Sequence, residues 1–135
     1  MLSLRIVPVT HIHQTWDQVK DLLSSALVHS QGEYNIDQLK VMLAKGVQTL
    51  LVGVDEDNNI KTATSIEWIN HPNDRVAFIT AIGGRTDKQC WQEFLDWVKA
   101  NGGTKIQGAA YESVSRLWKR QYGFENVYII VEKKL

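Results

Sequence analysis

Val76-Ala77-Phe78-Ile79-Thr80-Ala81-Ile82, then Gly83-Gly84-Arg85, then Thr86-Asp87-Lys88-Gln89, on through Trp91 and Gly102-Gly103 to Tyr122-Gly123-Phe124, is the stretch that decides the fold. Val76–Ile82 is a nearly unbroken apolar run closed by glycine, the pattern of a buried strand. Thr86 followed by Gln89 has the form of a capping box: the Thr oxygen accepts from the third backbone N–H and the Gln side chain reaches back. Trp91, Phe94, Leu95 and Val98 then recur at helical spacing, and Asn101-Gly102-Gly103 stops the helix. Thr104–Ala110 reads as a second strand with one small face. A strand–helix–strand unit of this size closes as a right-handed parallel crossover. A helix over Ser113–Gln121, a stop at Gly123 and a last strand over Asn126–Glu132 complete the chain. A strand that meets a helix N-terminus through glycines offers bare N–H groups suited to a phosphate.

Upstream, Leu2–Val9 alternates apolar and polar residues as a half-buried strand does, with Pro8 limiting its end. Thr15 is placed to cap a helix carrying Trp16, Val19, Leu22, Leu23 and Ala26, closed by Gln31-Gly32. Asn35, with Gln38 three residues on, caps a second helix whose stripe is Ile36, Leu39, Met42 and Leu43; Lys45-Gly46 ends it. Gln48–Val54 and Ile60–Ile69 flank the turn Asp55–Asn59, and Asn70–Asp74 is a second turn leading into Val76. The expected order is β-α-α-β-β-β-α-β-α-β: a mixed α/β (α+β) sheet with an antiparallel meander, a parallel pair and flanking helices, all one domain over residues 1–135.

Composition narrows the function. Fifteen basic residues balance fifteen acidic ones, and no basic tail or Lys/Arg run is present, so a nucleic-acid partner is not expected. No apolar run is long enough for a membrane span and Met1–Arg5 lacks a signal-peptide core, which points to a cytoplasmic protein. Cys90 is the only cysteine; flanked by Gln89 and Trp91 near a helix start, it reads as a packed thiol. His11, His13, His29 and His71 do not form a zinc pattern, and Ser113 and Ser115 lie in no nucleophile elbow, so no metal and no serine triad are expected. Trp16 and Trp91 fall on apolar helix faces, while Trp68, Trp97 and Trp118 could line a groove or an interface.

The element order resembles the GNAT superfamily of acyl-CoA-dependent N-acyltransferases. Tyr122-Gly123-Phe124 before a strand and Lys133-Lys134-Leu135 looks like the family's C-terminal Gly-Phe, and Gly83-Gly84 before a capped helix stands where the family keeps its pyrophosphate loop. Trp68-Ile69-Asn70-His71-Pro72, Ala81-Ile82-Gly83-Gly84 and Trp91–Gly102 are also similar to small GNAT-like proteins of tailed bacteriophages, some associated with virion assembly; for such a protein the location would be host cytoplasm or virion. The resemblance implies acetyl-CoA, with the pantetheine arm beside Thr80, Ala81 and Ile82 and the phosphates at Gly83, Gly84, Arg85 and Thr86. The sequence departs from the family: no Gln/Arg-x-x-Gly-x-Gly/Ala loop follows, and Asp87 sets a carboxylate near the phosphates.

Amine acylation needs a base for the incoming ammonium and often an acid for the departing thiolate. The family often carries a Glu on the central strand; Val76–Ile82 has none, and Glu67 on the neighbouring strand is the nearest candidate. Tyr111 and Tyr122 are candidates for the acid, since the family's Tyr position is Lys119 here. Two functions stay open: an acetyl-CoA-dependent N-acyltransferase acting on an amine acceptor, or a catalytically silent protein of the same fold that binds a protein partner or its own copy, as in a virion or a host complex.

Overall fold

The computed structural model describes residues 1–28 and 30–135; His29 lies outside them. Five strands form one sheet in the order β1 (Ser3–Val7), β2 (Thr49–Val54), β3 (Ile60–Asn70), β4 (Arg75–Gly84) and β5 (Lys105–Gly108). The first four are antiparallel neighbours, and β4–β5 is the parallel pair. A short 3-10 turn at Val9–His11 leads into α1 (Ile12–Leu27), followed by α2 (Ile36–Ala44). Helices α3 (Lys88–Ala100) and α4 (Glu112–Tyr122) flank β5 in sequence.

The two faces of the sheet carry separate cores, as strand alternation requires. Leu50, Val52, Ala63 and Ala81 meet Ile12, Trp16, Val19 and Leu23 of α1 and Leu39 and Leu43 of α2 on one side. On the other, Leu51, Ile66, Ala77 and Ile79 meet Phe94 and Val98 of α3. Trp68 packs on Trp97 at 5.7 Å between ring centroids, with the Arg75 guanidinium 4.0 Å over the Trp68 ring. The capping box of Asn35 and Gln38 is present in both directions, and Gly46 takes the left-handed φ of +76° that ends α2.

Four expectations need correcting. Helix α1 starts at Ile12, with His11 and not Thr15 as its N-cap, and it runs only to Leu27, short of Gln31-Gly32. Asp87, not Thr86, caps α3: its carboxylate accepts from the Cys90 N–H at 2.9 Å, while Gln89 turns away to Ser3. Asp is as strong a cap as Thr, and its charge favours the positive helix end. Gly83 and Gly84 belong to the strand and not to a loop, opposite Ala63 and Thr62 of β3. Finally, Asn126–Glu132 forms no strand: it pairs with nothing and stands exposed.

Candidate active site

The β4–β5 ladder is four pairs long, from Val76–Lys105 to Ile79–Gly108. Beyond it β5 ends, while β4 runs on through Gly84. The β5-side edge of Thr80–Gly84 therefore has no strand neighbour, and a wedge opens between the two parallel strands. At its apex β4 bulges: Ser65 faces Ala81 while Ile66 faces Ile79, so Thr80 is the extra residue. A bulge releases a residue from the ladder and turns its neighbours.

The bulge is held by a polar trio that the sequence did not disclose. Thr80 donates its hydroxyl to the Gln48 carbonyl oxygen at 2.5 Å, and Ser65 Oγ lies 2.7 Å from Thr80 Oγ1. With the Thr80 proton given to Gln48, Ser65 is the donor in the second bond. Gln48 and Ser65 are buried. Gln48 reads as the first residue of an apolar strand, and only the tertiary fold brings it 32 positions along to Thr80.

Below the wedge, Gly83 and Gly84 serve close packing. A Cβ on Gly83 would lie 2.0 Å from the Leu22 carbonyl oxygen of α1, and one on Gly84, at φ +84°, 2.2 Å from the Lys61 carbonyl oxygen. The turn into α3 is then only Arg85-Thr86-Asp87. One of its donors, the Arg85 N–H, is spent on the Lys61 carbonyl, and the Cys90 N–H in the first turn of α3 is spent on Asp87. Asp87 also accepts from the Leu2 N–H at 2.7 Å. The bond from Cys90, then that from Leu2, holds its carboxyl below the ordinary range. Arg85 and Lys88 are exposed cations at this end, and Thr86 is half-buried. The apolar cavity under Thr86, Cys90 and Trp91 is about 30 Å³, room for a water or so and not for a ligand. Burial pushes the Cys90 thiol up, as a packed cysteine requires.

Glu67 lies opposite Phe78 and, by alternation, projects from the same face as Ser65, toward the α1–α2 side. Tyr111, the N-cap residue of α4, takes a hydrogen bond on its hydroxyl from Gln31 in the α1–α2 connection, a long-range link that the sequence also hid. Tyr122 packs against Trp91 of α3 with centroids 4.7 Å apart and the rings tilted by 44°. The structure ties Tyr111 to the α1–α2 connection, sets Glu67 on the strand that lies on the other side of β4 from β5, and leaves Tyr122 in an aromatic cluster with Trp91 and Phe124 on the α3 side. Among the described residues no three His, Cys, Asp or Glu side chains converge as metal ligands, and no helix is long and apolar enough to cross a membrane.

A mixed sheet whose last strand, β5, runs parallel to β4 and leaves it after four pairs, with α3 starting beyond the end of β4, matches the GNAT-like acetyltransferase fold. No family model and no curated protein sequence matches the chain, but solved structures do. The aminoglycoside 6'-N-acetyltransferase AAC(6')-Ih from Acinetobacter baumannii superimposes with a TM-score of 0.69 at 11% identity, over 100% of this chain and 98% of that one. A predicted acetyltransferase from Clostridium acetobutylicum, solved with acetyl-CoA, gives 0.63 at 19% identity, over 99% and 96%. The BH1408 protein from Bacillus halodurans, in a tetramutant form, gives 0.68 at 16% identity, over 98% and 99%. At these identities the likeness is one of fold.

Proposed function

We propose that the protein transfers an acyl group, acetyl in the first instance, from acyl-CoA to an amine. The observation that carries this is the wedge: Thr80–Ile82 present an unpaired strand edge at the bulge where β5 leaves β4. An amide-rich arm such as pantetheine would add to that edge as a strand does, by backbone hydrogen bonds. The phosphates would lie toward Gly83, Gly84, Arg85 and Thr86, where Arg85 and the remaining amides at the start of α3 supply the positive field.

In the reaction the amine nitrogen attacks the thioester carbonyl carbon, the C–N bond forms and the C–S bond breaks. Glu67 would take the proton from the incoming ammonium, directly or through a water. Tyr111 would protonate the departing thiolate; its hydroxyl accepts from Gln31 and keeps its own proton to give. Tyr122 is the weaker choice because it is engaged with Trp91. The aminoglycosides acted on by two of the similar proteins are a reasoned start for an acceptor screen.

A second reading, a binding or assembly module of the same fold that includes the phage-particle case, is favoured by the donors already spent at Arg85 and Cys90 and by the Asp87 carboxylate beside them. Calorimetric titration with acetyl-CoA and with free CoA separates the two. Gly84 is unsuited to mutation because any side chain would meet Lys61, so the control is Arg85→Glu at an exposed position. Micromolar binding, weakened in that variant, supports acyl transfer; no heat at millimolar ligand overturns it and leaves the binding module.

A further inference from the structure

The start of α3 and the free edge of β4 are unequal as places for a ligand. At the helix start the groups suited to a pyrophosphate are engaged: the Arg85 N–H on the Lys61 carbonyl and the Cys90 N–H on Asp87. The Asp87 carboxylate itself holds the positive end of the helix, fixed by a second bond from the Leu2 N–H at 2.7 Å. A pyrophosphate laid there meets a fixed negative charge. Gly83 and Gly84 supply no loop, because both belong to β4 and lie against the backbone of Leu22 and Lys61. Arg85 and Lys88, both exposed, suit one phosphate group beside the wedge. The edge is open by contrast. Thr62 pairs with Gly84, and the Arg85 N–H bond to Lys61 carries that ladder one residue on. In an antiparallel pair, alternate residues turn their N–H and C=O to the partner and the rest turn away. Arg85 and Gly83 therefore face β3, while Ile82 and the Gly84 N–H face the wedge, past the last β4–β5 pair at Ile79–Gly108. Amides two residues apart on a strand stand ~6.6 Å apart at ~3.3 Å per residue. Pantetheine is an extended chain with two amides that can pair along such an edge.

We propose that the wedge recognises its donor by the pantetheine arm and the phosphate next to it, not by the nucleotide, so that thioesters of phosphopantetheine serve as donors as well as acyl-CoA does. This rests on the acyl-transfer reading, which seats the donor arm in the wedge. The chemistry is unchanged by what lies beyond the phosphate. The amine nitrogen bonds to the thioester carbonyl carbon and gives up a proton, the C–S bond breaks, and the sulfur leaves on the arm and takes a proton. The same arm occurs free and esterified to a serine of carrier proteins, and a site that reads only the arm and one phosphate accepts both. Asp87 is the discriminating residue: its carboxylate opposes the second phosphate of CoA and does nothing to a pantetheine chain that pairs farther up the edge.

Calorimetric titration of the intact chain with CoA, phosphopantetheine, pantetheine and the adenosine bisphosphate half of CoA tests this. The expected Kd for phosphopantetheine lies within about tenfold of that for CoA, and the adenosine bisphosphate gives no heat at millimolar concentration. Asp87→Asn, which keeps an acceptor for the Cys90 N–H, is expected to tighten CoA by about threefold or more and to leave pantetheine unchanged. Arg85→Glu, at an exposed position, is expected to weaken CoA and phosphopantetheine alike and to spare pantetheine. A phosphopantetheine Kd more than about tenfold above that of CoA, or an adenosine bisphosphate that binds alone and competes with CoA, overturns the proposal and leaves acyl-CoA as the donor. An Asp87→Asn variant with no gain for CoA over pantetheine overturns it as well. Phosphopantetheine bound with CoA rejected supports it and removes CoA as the donor, whereas no binding of any of the four overturns both readings. Where the arm binds, a phosphopantetheinylated carrier protein held more tightly than the free arm, with its unmodified form not held, assigns the protein-borne source; equal affinity assigns the free thioester.

Discussion

A methyl group on Gly83 would sit 2.0 Å from the Leu22 carbonyl oxygen, so Gly83→Ala has to push α1 off the sheet. The expected loss is about 2–3 kcal/mol, the scale of an overpacked core, read from urea unfolding. Thr80→Val keeps the shape of the bulge but strands the Gln48 carbonyl oxygen and the Ser65 hydroxyl, for an expected loss of about 1–3 kcal/mol. Thr80→Ser keeps the hydroxyl and should lose only about 1 kcal/mol for the missing methyl; equal losses in the two variants would mean the trio does not hold the bulge. Asp87 contributes to the acid pH dependence, as do Asp55, Glu56 and Asp74, whose carboxyls are also held low. The folded Asp87 carboxyl is held below the ordinary value, first by the Cys90 N–H and then by the Leu2 N–H, so its contribution is present above the unfolded value of about 3.9 and fades as pH falls through the folded one. Asn in its place still accepts at the cap but does not titrate. Asp87→Asn should therefore flatten the acid limb of stability below about pH 4 relative to the unaltered protein.

Elements were legible where one local rule was strong. The Asn35 capping box, the Lys45-Gly46 stop and the Trp91–Val98 stripe each follow from a few neighbouring residues, and the folded chain keeps all three. Cap positions slipped where two candidates competed: Thr86 and Asp87 both have the chemistry, and the bond from the Leu2 N–H on β1 goes to Asp87. The final strand failed for a different reason. Val127–Val131 has the composition of a strand, but a strand is a pairing and composition cannot name the partner. The wedge itself follows from strand order, yet Gln48, Ser65 and Gln31 were invisible because their partners stand far off in sequence. At this scale α3 also sets the behaviour of Cys90, buried between the helix and Gly53 of β2. Reaction with a thiol reagent at neutral pH should be slow and follow unfolding, and fast labelling of the native protein would contradict the packed position.

Across the whole molecule, order falls away toward the C-terminus. The core on one face joins α1, α2 and β2–β4, and the core on the other joins β2–β5 with α3. Helix α4, by contrast, buries none of its residues fully. It is held through Trp118 against Gly108 and Phe124, and through Tyr122 on Trp91. A unit attached by so few contacts opens at a fraction of the global free energy. After trimming at the exposed Lys133 and Lys134, trypsin should therefore cut next at Arg116, Lys119 and Arg120, leaving a fragment that ends in or near α4 and resists further cleavage. A first cut within β2–β4 would mean that the C-terminal unit is not the weakest part.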